Sequence, residues 1–281
     1  MHRCIEAYRV KERIVTGVAK IQVKKNLKKA ILEAVDLIGG FKKFITKGDV
    51  VLLKPNFNTA DPFPGSTDLE FLKTVVELIY EQEPKIVMLG DSSTMSLNTR
   101  KVMEDLKVFD LEKMERPPRV YVFDERPWVK KEIPNGKYLK SAWVTHYLDR
   151  ADKLILLPCL KTHFLSQFTG SLKLSLGFIK PFHRVRFHAR HLQEKIAELN
   201  KIINPDLIIM DARKIFITKG PDKGKLAEPN FILASRDRVG IDVEGVKIIQ
   251  SFKRNSLKNI DPWDLPQIKK AAEFGIGEEK K

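Results

Sequence analysis

The segment Lys161-Thr162-His163 places a cation, a hydroxyl group and an imidazole directly after an apolar run. A lysine in this position can neutralise a phosphate or carboxylate, and a histidine can exchange a proton near neutral pH. The alternative is a surface loop whose histidine caps backbone groups. We expect catalytic roles for Lys161 and His163, with Thr162 and the nearby Thr169 contacting a ligand.

Polar residues also follow other apolar runs. Lysines at these places would hold an anion, and the amide and hydroxyl groups would orient it. For Asp and Ser, capping of backbone N–H groups is the equally weighted alternative. The residues expected to bind ligand are Lys54, Asn56, Asp91, Ser92, Thr162, Thr169 and Lys173. Asp211, which also ends an apolar run, is a third candidate for a catalytic role.

A divalent metal is a further candidate, because imidazole and carboxylate groups suit zinc, iron or nickel. The expected ligands are His163, His191 and Asp211, although no H-x-x-x-H or H-E-x-x-H signature accompanies them. We interpret His183 and His188 as part of a solvated basic rim. For His191, both roles stay open.

The chain is strongly basic. Its 281 residues include 51 Lys and Arg against 36 Asp and Glu, which gives a net charge of +15. The charge is concentrated in residues 20–29 and in residues 161–195, where seven Lys or Arg face one acid. Such a charge favours an anionic partner, either a small molecule or nucleic acid. For residues 20–29, the alternative is a solvated helix face without a binding role. The Lys- and Glu-rich composition of the chain resembles that of proteins from thermophiles.

The cysteine content limits the cofactors that one chain could hold. Cys4 and Cys159 are the two cysteines, and there is no C-x-x-C motif. We therefore expect no Cys₄ zinc site, no iron–sulfur cluster within this chain and no disulfide framework. Residues 1–6 lack a signal-peptide pattern, and the apolar runs are too short to span a bilayer. The expected location is the cytoplasm, without a membrane partner.

The candidate residues need a scaffold that brings them together. Six apolar runs predict buried strands at residues 50–54, 86–89, 120–123, 154–157, 207–210 and 231–234. Helical periodicity appears at residues 27–38, 69–79, 192–203 and 239–249. This alternation predicts an α/β fold with a largely parallel sheet and helices on both faces. The polar residues after five of the strands, including Ser235 and Asp237, would then meet in one crevice at the carboxyl ends of the strands.

The remaining organisation is simpler. Residues 110–147 are less regular, and Pro134-Asn135-Gly136 is typical of a turn between two strands, which predicts a small β-rich insertion. We expect one α/β domain over residues 1–270 and a flexible tail over residues 271–281.

The ordered set of these motifs resembles the DUF362 family over roughly residues 50–249. The resemblance rests on Lys54-Pro55-Asn56, Gly90-Asp91-Ser92, Lys161-Thr162-His163, Thr169-Gly170, Lys173 to Gly177, His191, Asp206, Asp211, Gly220-Pro221, Ser235, Asp237 and Asp242. The family is uncharacterised, and some members carry ferredoxin-like iron–sulfur segments. This chain lacks those segments, and it lacks the asparagine that usually follows the lysine at position 173.

The sequence therefore predicts an enzyme-like protein that binds an anionic small molecule or a metal-bearing cofactor in a basic crevice, with acid–base or metal-assisted chemistry at His163. Two alternatives remain. One is a nucleic-acid-binding protein that uses the basic surface, and the other is a non-catalytic accessory protein for iron–sulfur or other cofactor systems.

Overall fold

The computed structural model describes residues 17–277, apart from the side chains of Arg186, His188 and Ala189. Its thirteen strands, in chain order, are β1 Val18–Gln22, β2 Val50–Lys54, β3 Ile86–Asp91, β4 Arg119–Val122, β5 Trp128–Glu132, β6 Ser141–Thr145, β7 Lys153–Leu156, β8 Lys161–His163, β9 Gln167–Thr169, β10 Leu207–Ala212, β11 Ile215–Phe216, β12 Leu226–Ala227 and β13 Phe231–Ser235. The α-helices are α1 Leu27–Asp36, α2 Leu69–Tyr80, α3 Thr99–Asp105, α4 Ser171–Leu174, α5 Pro181–Ala189, α6 Leu192–Leu199, α7 Arg238–Gln250 and α8 Pro266–Glu273.

A central sheet of seven strands has the order β1-β13-β10-β7-β2-β3-β4. The five strands from β10 to β4 are parallel, which confirms the predicted fold class. Because these strands are covered on both faces, alternate residues enter different cores. Leu52 of β2 packs with the helices α4, α6, α7 and α8, whereas Val51 and Leu53 pack with α1, α2 and α3.

Strand β13 departs from the predicted arrangement, since it runs antiparallel to both β10 and β1. Its carboxyl end therefore lies at the opposite edge of the sheet, and the expectation that Ser235 and Asp237 join the crevice is wrong. The Ser235 hydroxyl donates to the carbonyl of Gly17 at 2.8 Å. Asp237 caps α7 by accepting the backbone N–H of Val239 at 2.8 Å.

The irregular stretch contains the expected hairpin, in which β5 pairs antiparallel with β6. The buried carboxylate of Glu198, on α6, fixes the turn region of this hairpin. It accepts the backbone N–H groups of Lys137 at 2.6 Å, Tyr138 at 2.9 Å and Leu139 at 2.6 Å. The insertion is thus tied to the main domain by charge-assisted hydrogen bonds.

The C-terminal helix α8 was not predicted, and it supports the hairpin formed by β8 and β9. The side-chain amide of Gln267 donates to the carbonyls of Ser166 at 3.1 Å and Phe168 at 3.2 Å. The tail boundary predicted at residue 271 falls inside α8, and Ile276 is buried. Residues 278–281 lie outside the described part of the chain, and so do residues 1–6, which include Cys4. Between residues 17 and 277, no helix is long and apolar enough to cross a membrane.

Candidate functional site

A cavity of about 360 Å³ opens beyond the carboxyl ends of β2 and β3. It is closed by the β8–β9 hairpin, by α4 and α5, and by the loops that follow β2 and β11. Its lining residues are Lys54, Asn56, Asn58, Thr59, Gly65, Asp91, Ser92, Thr94, Met95, Lys161, His163, Phe164, Leu165, Thr169, Lys173, Leu174, Leu176, Gly177, Arg184, Pro221 and Asp222. Most of the predicted ligand-binding residues therefore lie together.

The segment Lys161-Thr162-His163 is a short buried strand and not a loop. Because side chains alternate along a strand, Lys161 and His163 face the cavity while Thr162 points away from it. The Thr162 hydroxyl instead accepts the backbone N–H of Gly220 at 3.2 Å. A ligand-binding role for Thr162 is therefore not supported, since this side chain anchors the loop that contributes Pro221 to the cavity.

Lys161 fixes the long loop that follows β2. Its Nζ donates to the carbonyl oxygens of Pro64 at 2.9 Å and Gly65 at 2.6 Å. An ammonium has three donors, so one remains for another partner. Burial lowers the pKa of Lys161 to about 8. This lysine can thus both shape the cavity and contact an anion in it.

The ring of His163 is oriented by backbone groups. Its Nδ1 accepts the N–H of Leu165 at 3.1 Å and the N–H of Ser166 at 3.3 Å. A nitrogen that accepts these bonds carries no proton, so the proton of the neutral ring is on Nε2. In this tautomer, Nε2 acts as a hydrogen-bond donor and neither as a metal ligand nor as a base.

Lys54 and Asp91 form a buried ion pair in the wall of the cavity, with 2.6 Å between Nζ and Oδ1. Asp91 also accepts the backbone N–H groups of Phe57 and Ser92, each at 2.6 Å. Burial lowers the pKa of Lys54 and raises that of Asp91, and the attraction between the two charges opposes both shifts. Lys54 also donates to the carbonyl of Pro55 at 2.7 Å. The charges and most hydrogen-bonding groups of Lys54 and Asp91 therefore have partners within the protein.

Three further predicted residues differ in whether their polar side-chain atoms have hydrogen-bond partners. The Ser92 hydroxyl donates to Asp124, which also accepts a hydrogen bond from Thr99, so Ser92 is held structurally although it lines the cavity. The buried side-chain nitrogen of Asn56 has no hydrogen-bond partner among the described residues. The hydroxyl of Thr169 also has no hydrogen-bond partner among the described residues. Thr169 lies opposite Lys161 in the register of the β8–β9 hairpin.

Among the described cations that line the cavity, Lys173 has the fewest internal contacts. Among residues of the described chain, no carboxylate and no hydrogen-bond acceptor contacts its Nζ. Burial, Lys161 and Arg184 together lower the pKa of Lys173 to about 7. Its helix α4 is held in place by Asp242, which accepts the backbone N–H groups of Ser171 at 2.6 Å and Leu172 at 3.0 Å.

Arg184 is a cavity residue that the sequence did not single out. Its guanidinium donates to the carbonyls of Ile179, at 2.8 and 3.0 Å, and Ser93, at 2.5 Å. Burial lowers its pKa to about 10. Nothing in the local pattern distinguishes Arg184 from the neighbouring Arg186 and Arg190, because its burial depends on how α5 packs against the loop after β3.

Asp211, the third residue expected to have a catalytic role, is not among the residues that line the cavity. Its carboxylate is bound by the guanidinium of Arg213 at 2.8 Å, which also contacts Asp68 at 2.7 Å. Burial raises the pKa of Asp211, and Arg213 opposes this shift. Asp211 therefore anchors Arg213 and the N-terminus of α2, with no cavity contact that would support a catalytic role.

His191 is also remote from the cavity lining. Its side chain is 53% exposed, and its Nδ1 lies 3.5 Å from Glu194. The proposed metal ligands His163, His191 and Asp211 are thus not brought together, and the described side chains contain no group of three His, Cys, Asp or Glu suited to a metal. The side chain of His188 lies outside the described set.

The lysines of residues 20–29 make several intramolecular ion pairs. Lys28 contacts Glu81 at 2.8 Å, and Lys20 contacts Glu244 at 3.4 Å. These pairs neutralise part of the surface that could otherwise attract a nucleic-acid backbone. Nucleic-acid binding by this segment stays a prediction.

The model of the family described as "Domain of unknown function (DUF362)" matches residues 51–247, more than half of the chain. The chain belongs to the DUF362 family. The match spans β2 to α7, and so includes all the strands and helices that carry the cavity lining.

Individual relatives give the extent of the similarity. Thylakoid-associated protein sll1697 of Synechocystis sp. is 28% identical over 254 residues, which cover 85% of this chain and 72% of that protein. The lactate racemase apoprotein of Thermoanaerobacterium thermosaccharolyticum aligns with a TM-score of 0.45 and 12% identity, over 82% of this chain and 56% of that one. A Thermotoga maritima protein solved by structural genomics aligns with a TM-score of 0.49 and 8% identity, over 90% and 60%. The chain spans three fifths or less of these two solved chains.

Proposed function

We propose that this DUF362 protein binds a small anionic molecule, bearing a carboxylate or phosphate group, in the cavity at the carboxyl ends of β2 and β3. One observation carries the proposal. Asn56, Thr169 and the half-buried Lys173 all line this cavity, and the buried side-chain nitrogen of Asn56 and hydroxyl of Thr169 have no hydrogen-bond partner among the described residues. Buried polar groups are nearly always hydrogen-bonded, so unmet groups facing one cavity favour a ligand.

The charge balance indicates the sign of that ligand. The charge of Lys54 is offset by Asp91, which leaves Lys161, Lys173 and Arg184 as further cations on the cavity wall. The other lining carboxylate is the exposed Asp222. An anion beside Lys173 would offset the mutual repulsion of these cations, which is strong where water is excluded.

The dimensions indicate a small ligand. A volume of about 360 Å³ lies at the low end of the roughly 300–1,000 Å³ typical of small-molecule sites. The mouth is apolar, since Phe164 and Leu165 are 72% and 51% exposed there. A metabolite with one anionic end and a short apolar part suits this arrangement, with Nε2 of His163 as a donor facing the same cavity.

Isothermal titration calorimetry tests this proposal with inorganic phosphate, pyruvate and citrate as probes. We expect at least one of them to bind, and affinity to fall at high NaCl because the contacts are ionic. Binding should also weaken as pH rises above about 7, where Lys173 loses its proton. The variant Lys173→Met should abolish binding, whereas Lys42→Met, which removes an exposed lysine away from the cavity lining, should not.

Two results would contradict the proposal. One is the absence of binding by all three probes. The other is equal affinity of the wild type and Lys173→Met. A parallel titration with a DNA duplex tests the nucleic-acid alternative. If that alternative is right, the wild type and Lys173→Met should both bind the duplex tightly.

A further inference from the structure

We propose that Lys173 forms an imine with the carbonyl carbon of a small anionic aldehyde or ketone. This inference rests on the proposed anion site and names its substrate class, a molecule that carries both a carbonyl group and a carboxylate or phosphate. It assigns Lys173 as a catalytic residue that acts as a nucleophile.

The first support is the position of the amine. Lys54 donates to Asp91 and Pro55, and Lys161 donates to two carbonyls, so both are fixed by internal bonds. The Nζ of Lys173 has no such bond within the described structure, although it lines the same cavity. An amine that is not held by an acceptor keeps its lone pair available once it loses a proton.

The second support is the surroundings of this amine. Lys161 and Arg184 are close enough to disfavour a charge on Lys173, and burial acts in the same direction. These effects lower its pKa to about 7, so a large fraction of the amine is neutral at physiological pH. Neighbouring cations and desolvation are the established means by which proteins activate a lysine for imine formation.

The third support is that the same cations can hold the substrate. A carboxylate or phosphate bound by Lys161, Asn56 and Thr169 would place an adjacent carbonyl group near Lys173. The protein would then supply proximity in addition to nucleophilicity. A neutral carbonyl compound would lack this anchor.

The chemical step is balanced without any further reactant. The lone pair of Nζ attacks the carbonyl carbon, and the electron pair of the C=O bond moves to oxygen. A proton passes from nitrogen to oxygen to give a carbinolamine. A second proton, from the ammonium of Lys161, whose pKa is about 8, lets the hydroxyl leave as water while the C=N bond forms and leaves a protonated imine. Nothing is oxidised or reduced.

Borohydride trapping tests the inference. Wild-type protein is incubated near pH 7 with pyruvate, with pyridoxal phosphate or with neutral acetone, reduced with sodium borohydride, and analysed by intact mass and peptide mapping. We expect a single adduct on Lys173 with one or both anionic carbonyl compounds, and labelling about tenfold weaker with acetone because an ionic contact of about 1.4 kcal/mol is missing. A pyruvate adduct would assign a carboxylate substrate, and a pyridoxal phosphate adduct a phosphate substrate.

The matched variants separate this inference from anion binding. Lys173→Arg keeps a cation but has no nucleophilic amine, so it should lose the adduct while retaining measurable phosphate binding in calorimetry. Lys42→Arg should keep the adduct. If pyruvate binds but no adduct forms on Lys173, or if exposed lysines are labelled equally, the inference is wrong and the anion site stands. If neither anion binds nor any adduct forms, both are wrong. Peptide mapping of the wild type decides the location even if a variant fails to fold.

Discussion

Nζ of Lys54 and Oδ1 of Asp91 lie 2.6 Å apart at the carboxyl ends of β2 and β3, and the two side chains are only 1% and 2% exposed. This pair explains why two lysines in the same cavity have different roles. Lys54 has an internal counter-ion in Asp91 and a second acceptor in the carbonyl of Pro55, so its role is structural. Lys173 has no counter-ion in the described structure, so it is suited to a ligand.

Asp91→Asn should destabilise the protein because it leaves the buried ammonium of Lys54 without a carboxylate. Breaking a buried ion pair from one side typically costs about 3–5 kcal/mol. Urea denaturation monitored by circular dichroism measures the free energy of unfolding. The double variant Lys54→Met/Asp91→Leu, which removes both charges, should recover much of the loss. A negligible effect of Asp91→Asn would show that the pair contributes little.

Gly177→Ala should disturb the same pair. A Cβ at this position would overlap with Nζ of Lys54 and with Oδ1 of Asp91, both of which are buried and held by other bonds. Overpacking of this kind typically costs about 1–3 kcal/mol. We expect a lower melting temperature and weaker phosphate binding. Gly48→Ala is a control without steric overlap, although its backbone has φ +91° and so adds some strain of its own.

Thr169→Val and Thr162→Val should separate binding from stability. The Thr169 hydroxyl has no partner in residues 17–277, so its removal should change stability by less than about 0.5 kcal/mol while weakening anion binding. The Thr162 hydroxyl accepts the N–H of Gly220, so its removal should cost roughly 1 kcal/mol. Thermal denaturation and calorimetry on both variants check this contrast. Equal stability losses would argue that Thr169 also has a structural bond.

Lys173→Met should stabilise the protein. In the folded state the pKa of Lys173 is lowered from 10.5 to about 7, so the folded protein binds fewer protons than the unfolded chain between these values. Wild-type stability should therefore rise with pH across this window, and the gain from Lys173→Met should be largest below about pH 7. We expect a gain of about 1–2 kcal/mol, discounted for the partial exposure of the lysine. Chemical denaturation at several pH values measures it, and a loss of stability at pH 6 would contradict it.

The parallel part of the sheet could be predicted because its strands are covered on both faces. Such strands give continuous apolar runs, as in residues 50–54 and 86–89. The carboxyl ends of these strands then lead to Lys54 and Asp91. Lys173 was predicted to bind ligand because of the resemblance to DUF362. The residues around it in the sequence do not by themselves indicate a binding role.

The direction of β13 could not be predicted, since an apolar run has the same pattern in either direction. This affects Ser235 and Asp237, which the antiparallel orientation places away from the cavity. The sequence likewise does not predict the orientation of a single side chain. Asp211 lies near the carboxyl end of β10, but Arg213, two residues later, turns back to bind its carboxylate. The burial of Arg184 depends on tertiary packing in the same way.

The central claim is that an anion binds beside Lys173, and selenate can locate such an anion directly by its anomalous scattering. Crystals would be grown or soaked with selenate near pH 6, where Lys173 is protonated. The account predicts an anomalous peak within hydrogen-bond distance of Nζ of Lys173 and close to Asn56 and Thr169, and its absence in crystals of Lys173→Met. Peaks confined to exposed lysines such as Lys42, with none in the cavity, would contradict it.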